Sequence, residues 1–214
     1  MLRIGGRTVD REAALDYARR YLTEGNGWSY PSYDGYETAR ALDPLTDADL
    51  LAPVLLNVQH LRITTYEALQ VVRSRLEGVL EAIPHELTLC GASDDELALL
   101  GELFAPLSEP GIPGVRGTIL SKVLHRKRPQ FIFLFDQHVG RTYQHGPAAP
   151  VPEVRGRPWR EFAPLLGQAM REDLRREQDF WRSITKFAPG PGITDLRALD
   201  IVAWWAGRPD SAVY

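Results

Sequence analysis

The sequence predicts an all-α protein, and two observations support that prediction. At several positions a Ser or Thr precedes an acidic residue by three places, a pairing that satisfies the unpaired N–H groups of a helix start. Apolar residues recur at helical spacing after each pair. The apolar run 131–135 is the one strand candidate, and it has no neighbour to pair with. The capping pairs are Thr46/Asp49, Thr64/Glu67 and Ser93/Glu96.

The predicted helices are separated by two irregular segments. Asp10 opens the first helix, and the three capped helices follow it. Segment 25–44 is rich in aromatic and turn-forming residues, and segment 145–158 holds four prolines, so both are predicted to be loops. The last two predicted helices run from Trp159 to about Lys186 and from Thr194 to about Ala206.

The central segment from Gly111 to Arg141 concentrates features that bind anions. Its glycines surround a sharp turn, and a helix starts directly after them, so backbone N–H groups and the positive end of the helix dipole point outward together. No acidic residue interrupts the stretch between Pro110 and Phe135. A phosphate group would fit this position. The glycines are Gly111, Gly114 and Gly117, and the basic residues that follow are Arg116, Lys122, Arg126 and Lys127.

Asp136 follows the apolar run 131–135 and begins another predicted helix. The helix dipole favours a negative charge at that position. A fixed carboxylate there could stabilise positive charge that develops during a reaction. Aspartate is also a preferred helix cap, so a purely structural role is the alternative.

Length and composition describe an ordinary globular chain. Its 214 residues suit one domain or two closely packed lobes, with 44% hydrophobic and 25% charged residues. The formal net charge of −3 means that attraction to DNA would depend on the local basic cluster. The single cysteine, Cys90, excludes an intrachain disulfide and a cysteine-rich zinc or iron–sulfur site. His125 and His138 have no partner at metal-ligand spacing, and no metal or cofactor is predicted.

The chain shows no targeting or membrane segment. The N-terminal stretch MLRIGGRTVDREA has no apolar signal core. No apolar run approaches the roughly 18 residues of a membrane-spanning helix. We therefore expect a cytoplasmic protein without membrane contact.

Two sequence motifs resemble the helix-hairpin-helix superfamily of DNA glycosylases, which includes endonuclease III. The sequence IPGV is followed by FDQHVGR, with Gly114 placed 22 residues before Asp136, and this is similar to the family's hairpin and catalytic aspartate. Upstream, LLAPVLLNVQ looks like the family helix that ends in a DNA-facing glutamine. The resemblance covers about residues 49–143. The LHRKRP stretch also resembles a smaller actinobacterial family of unknown function.

The resemblance implies a two-lobed fold with a DNA-binding cleft. Residues 1–44 and 145–214 would form one lobe and residues 45–144 the other. Asp136 would be the catalytic residue. Bifunctional relatives carry a lysine four residues after the central hairpin glycine, whereas Thr118 stands there in this sequence, so a monofunctional hydrolase is implied. Lys122 lies one turn later and could instead substitute for that lysine.

The resemblance also suggests roles for residues around the cleft. Gln59 would enter the duplex and fill the gap left by a flipped nucleotide, or would simply face water at a helix end. Aromatic side chains could stack on the extruded base, although such residues also seal core edges. Arg116 stands where the family usually has glycine. The predicted DNA contacts are Gly111, Gly114, Arg116, Gly117, Lys122, Arg126, Lys127 and Gln59, and the predicted base pocket is Asn57, Trp28, Tyr30, Tyr33, Asp34, Tyr36 and His138.

The predicted function is a monofunctional glycosylase that binds double-stranded DNA as a monomer. It would flip a damaged or modified base and hydrolyse its glycosidic bond, either in repair or in defence against foreign DNA. A non-catalytic helix-hairpin-helix DNA-binding protein is the main alternative. A helical protein whose basic cluster binds an acidic protein partner is a third.

Overall fold

A computed structural model describes residues 1–25, 28–36, 44–58, 61–110, 112–146 and 148–209. Those ranges contain nine α-helices, two 3-10 helices and one two-stranded antiparallel sheet. The strands are β1 (Leu2–Ile4) and β2 (Arg7–Val9), and the 3-10 helices are Ala52–Leu56 and Ala105–Ser108. The α-helices are α1 (Arg11–Thr23), α2 (Asp47–Leu51), α3 (Ile63–Glu81), α4 (Asp94–Phe104), α5 (Gly117–His125), α6 (Gln137–Gln144), α7 (Trp159–Arg176), α8 (Gln178–Thr185) and α9 (Asp195–Ala206).

The mostly helical architecture confirms the all-α prediction, with a small N-terminal hairpin as an addition. Leu2 pairs with Val9 in this hairpin, and Gly5 makes its turn with a φ of 54°, a backbone conformation that favours glycine. The Gly5 amide donates to the Asp173 carboxylate at 2.7 Å, which fastens the hairpin to α7. Three-residue strands are too short to show an alternating pattern, so the sequence did not indicate them.

Two of the three predicted capping pairs are confirmed. The side chains of Thr46 and Ser93 each accept a backbone N–H three residues later, and the acids reciprocate. The third pair is wrong, because α3 begins at Ile63 with Arg62 as its N-cap, which places Thr64 inside the first turn. The predicted helix from Trp159 also differs, since it divides at Glu177 into α7 and α8.

The apolar run 131–135 crosses the interior without forming a strand. Its first part turns tightly, as the amides of Phe131 and Ile132 both donate to the Arg128 carbonyl. Phe133 is fully buried and stacks on Phe104, with ring centroids 5.3 Å apart. The run is apolar because it is buried and not because it pairs as a strand. Asp136 follows it directly, at the start of α6.

The hydrophobic core is continuous across the boundary between the predicted lobes. One cluster of buried side chains includes Leu100 of α4, Leu166 of α7 and Leu124 of α5. Helix α6 also contacts α9, where the Thr142 hydroxyl donates to the Ala203 carbonyl at 2.7 Å. The division into lobes 1–44 with 145–214 and 45–144 stays a prediction.

A buried ion pair fixes the chain just after α5. The Lys127 ammonium nitrogen lies 2.9 Å from a carboxylate oxygen of Asp49, and the two side chains are only 2% and 1% exposed. Asp49 also accepts from the backbone and hydroxyl of Thr46, so the capping box of α2 is part of the same arrangement. Lys127 is therefore not available to a DNA phosphate, which corrects its predicted role.

Replacing Lys127 by Met should destabilise the fold by about 3 kcal/mol, because it leaves a buried carboxylate without its cation. Urea unfolding measures this loss. Arg20→Met is the matched control, since Arg20 pairs with Glu24 in an exposed position and such pairs add little to stability. Equal, small losses for both variants would contradict the structural role of Lys127.

Candidate functional site

A cavity of about 580 Å³ lies where the two predicted lobes meet. Its wall combines residues from α1, the segment after it, the first 3-10 helix, α5, the start of α6 and α9. Polar and aromatic side chains supply much of this wall. They include Tyr21, Trp28, Asn57, Arg116, Lys122, Asp136, His138, Arg197, Asp200 and Trp204.

Asp136 is the N-cap of α6 and lines the cavity. Its Oδ1 accepts the backbone N–H groups of His138 at 2.8 Å and Val139 at 3.0 Å. None of the hydrogen bonds seen among the described residues ends on Oδ2. The Phe135 amide just before it donates to the Ser121 hydroxyl at 3.0 Å, which anchors the approach to α6. Asp136 thus caps α6 with one carboxylate oxygen and lines the cavity.

Lys122 is buried on α5 and reaches the same cavity. Its ammonium group donates to the Leu56 carbonyl at 3.0 Å. Burial lowers the pKa of Lys122, while the negative charges of Asp136 and Asp200 act in the opposite direction. The predicted phosphate contact from a solvent-exposed lysine does not fit this burial, because Lys122 contributes positive charge to the cavity wall instead.

Arg197 of α9 organises the opposite part of the wall and was missed by the sequence analysis. Its guanidinium is 3% exposed and donates to both carboxylate oxygens of Asp34, at 2.8 and 3.2 Å. It also donates to the Tyr21 hydroxyl at 2.7 Å and to Asp200 Oδ2. The signal was present in the sequence, since Arg197 and Asp200 lie one turn apart in a helix that is otherwise apolar after its first residue, Asp195.

Asp200 differs electrostatically from an ordinary surface carboxylate. Burial raises its pKa from 3.8 to about 6, with a further upward contribution from Asp136. The Arg197 and Lys122 cations oppose this rise but do not cancel it. Asp200 therefore retains a proton at a pH where most carboxyl groups have lost theirs.

The structure brings six of the predicted site residues to one cavity. Asn57 ends the first 3-10 helix in the left-handed conformation, with a φ of 58°. The His138 ring packs edge-on against Trp204 at 5.2 Å, and Trp28 packs against Tyr21 at 5.2 Å. The six residues are Trp28, Asn57, Arg116, Lys122, Asp136 and His138.

Other predicted base-pocket residues belong to the interior. Tyr30 and Tyr33 are almost fully buried, and the Tyr33 hydroxyl donates to the Lys122 carbonyl at 2.7 Å. Asp34 is occupied by Arg197, and Tyr36 packs against a small cluster of buried apolar residues. None of these four residues lines the cavity.

Among the predicted DNA contacts, Arg116 is the exposed cation beside the cavity. Arg126 instead donates to the Tyr33 carbonyl at 2.7 Å, with its guanidinium over the Tyr33 ring. Gly114 is exposed at the hairpin turn with a φ of 77°. Gly117 is buried, and a Cβ there would collide with the Trp159 ring. Gln59 and Gly111 lie outside the described residues.

Comparison with known proteins places the chain in a family without assigning it an activity. Residues 14–207 match a family of unknown function, DUF6308, and the chain belongs to that family. No curated protein and no solved structure gives a significant match. The resemblance to DNA glycosylases therefore stays a prediction.

The described ranges also bear on metals and membranes. They contain no group of three or more His, Cys, Asp or Glu side chains placed to hold a metal ion. None of the helices in these ranges combines the length and apolar character that a membrane crossing requires.

The raised pKa of Asp200 predicts a pH-dependent effect of Asp200→Asn. In the wild type the folded state holds this proton up to a pH of about 6 and the unfolded state only to 3.8, so stability falls as the pH rises through that window. The variant has no carboxyl group at this position and does not lose stability in this way. Its free energy of unfolding, relative to that of the wild type, should therefore be about 1 kcal/mol higher at pH 8 than at pH 5.

Urea unfolding of both proteins at pH 5 and pH 8 tests this prediction. Asp16→Asn, at an exposed position on α1, is the control and should leave the difference between the two pH values unchanged. An effect of Asp200→Asn that is equal at both pH values would show that the carboxyl group has no raised pKa.

Proposed function

We propose that this protein is a monofunctional DNA glycosylase that hydrolyses the glycosidic bond of a flipped nucleotide. The observation that carries the proposal is the position of Asp136. Its carboxylate caps a helix and accepts two backbone N–H groups. The residue lines a cavity whose wall also contains basic side chains, the Asn57 amide and the indole rings of Trp28 and Trp204. Such an arrangement supplies both negative charge for a sugar cation and surfaces for a base.

Asp136 has a defined part in this chemistry. As the bond between base and sugar lengthens, positive charge grows on the sugar, and a fixed carboxylate stabilises it without reorganising. The free oxygen Oδ2 can also orient the attacking water and accept its proton. Thr118, which lines the cavity, has no amine for covalent attack, and this supports a hydrolytic reaction.

The remaining wall suits an extruded base. A volume of about 580 Å³ lies within the range of small-molecule sites, roughly 300–1,000 Å³. Trp28 and Trp204 offer aromatic faces, and the Asn57 amide can both donate and accept hydrogen bonds. His138 is oriented by Trp204 and adds a ring nitrogen. Stacking with a few edge contacts is the usual way in which enzymes bind a flipped base.

The hairpin supports DNA binding next to the cavity. Arg116 is exposed at the N-cap of α5, where the first amides of the helix offer an anion site. Since Lys127, Lys122 and Arg126 are engaged inside the protein, few cations remain for phosphates, and the affinity should depend only weakly on salt. A non-catalytic helix-hairpin-helix DNA-binding protein would use the same surface, so a measurement of turnover separates the two proposals.

Asp136→Asn should abolish base release while it keeps the fold and the DNA affinity. The asparagine oxygen can still accept the two N–H groups of α6, but it carries no charge for the sugar and cannot accept a proton. We expect a loss of at least about 100-fold. The assay uses duplexes that carry uracil, alkylated, oxidised or hypermodified bases, with alkali to cut any abasic site.

Strand cuts that appear only after alkali, and only with the wild type, would support a monofunctional glycosylase. Cuts that appear without alkali would point to a lyase step and reject the monofunctional assignment. DNA binding without base release across the whole panel would favour the non-catalytic protein.

Arg116→Gln should weaken DNA binding about equally for every sequence. It should also reduce the slope of the logarithm of the binding constant against the logarithm of the salt concentration by about one. Fluorescence anisotropy at several salt concentrations measures both effects. Arg182→Gln, at an exposed arginine that lines a separate cavity, is the matched control and should change neither. The same loss in both variants would mean that the hairpin has no special part in binding.

A further inference from the structure

Asp200 is a second carboxyl group in the candidate site, and the proposed function above gives it no part. It lies on α9, is 7% exposed, and lines the cavity together with Asp136. Its Oδ2 receives a hydrogen bond from Arg197, whereas none of the hydrogen bonds among the described residues ends on Oδ1. The side chain is thus held by one oxygen with the other left for a ligand in the cavity.

Charged and titratable groups from several elements surround Asp200. They are Arg197 on its own helix, Tyr17 and Tyr21 of α1, Tyr33 and Asp34 from the segment after α1, Lys122 of α5, Tyr143 of α6, Asp136 with His138 at the start of α6, and Arg116, which lines the same cavity. Arg197 and Lys122 bring positive charge close to Asp200, and Asp136 brings negative charge. Burial is the main reason that the pKa of Asp200 is raised, and Asp136 adds to the rise.

We propose that Asp200 is the acid that protonates the departing base, and that the site is therefore built to release neutral nucleobases. This inference rests on the proposed glycosylase function. It assigns different tasks to the two carboxyl groups, with Asp200 facing the base and Asp136 facing the sugar. Pairs of carboxyl groups whose environments separate their protonation states divide acid and base work in this way.

The reaction balances with these two groups and one water molecule. The bond between the base nitrogen and the sugar carbon breaks, and its electron pair goes to the base. The proton of Asp200 passes to the base, which leaves as a neutral molecule. The water oxygen bonds to the sugar carbon, its proton passes to Asp136 and then to solvent, and Asp200 takes a new proton from solvent.

The test compares leaving bases that need a proton with bases that do not. Uracil and hypoxanthine are neutral in DNA and gain from an acid as they leave. N7-methylguanine and N3-methyladenine are already cationic and leave as neutral molecules without one. Asp200→Asn should slow release of the neutral pair by about 100-fold or more and change release of the cationic pair by no more than about threefold.

The pH dependence of the release rate is a second measurement, and a purely structural role of Asp200 would leave it unchanged. Release of the neutral bases by the wild type should fall as the pH rises above about 6, and this fall should be missing in Asp200→Asn. Asp34→Asn is the matched variant, since Asp34 shares Arg197 but does not line the cavity. It removes one of the two carboxylates that share Arg197, which lowers the pKa of Asp200 and should move the fall in rate to lower pH.

The outcomes separate the two proposals. Equal losses of neutral and cationic base release in Asp200→Asn, or wild-type release of the cationic bases only, would overturn the role of Asp200 and leave the glycosylase proposal standing. No release by the wild type of any base in the full panel, including the oxidised and hypermodified bases, would overturn both. A selective loss of neutral base release with the expected pH profiles would establish Asp200 as the acid.

Discussion

The buried guanidinium of Arg197 is the interaction on which the arrangement of the site depends. A charge that is 3% exposed must be paired, because an uncompensated buried ion costs several kcal/mol. The fixed fork of the guanidinium satisfies this requirement by binding Asp34, Asp200 and Tyr21 at the same time. The segment after α1 is thereby held against α9, which positions Trp28 at the cavity.

The same interaction sets the electrostatics of the cavity. Two carboxylates share one arginine, and Asp136 adds its carboxylate to the cavity wall. Lys122, buried on α5, brings positive charge to the same wall. The cavity therefore combines a carboxylate fixed by backbone N–H groups with a second carboxyl group, Asp200, whose pKa is raised by burial and by the charge of Asp136.

Local features of the fold could be predicted because their causes are local. The capping boxes at Thr46 and Ser93 depend on four consecutive residues, and the sequence located both. Thr64 has the same residue pattern, yet α3 begins one residue before it, because packing of the helix decides which turn comes first. The apolar composition of the run 131–135 correctly predicted that it is buried, whereas nothing in the sequence predicted its turns.

The sequence by itself determined the helical class, the glycine hairpin before α5 and the placement of Asp136 at a helix start, because these follow from residue type and spacing along the chain. Only the tertiary structure decided which charges are available. It paired Lys127 with Asp49 in the interior, turned Arg126 toward Tyr33, and brought Asp200 to the cavity with Asp136. Such outcomes depend on contacts between residues far apart in sequence, and these contacts cannot be predicted from spacing along the chain.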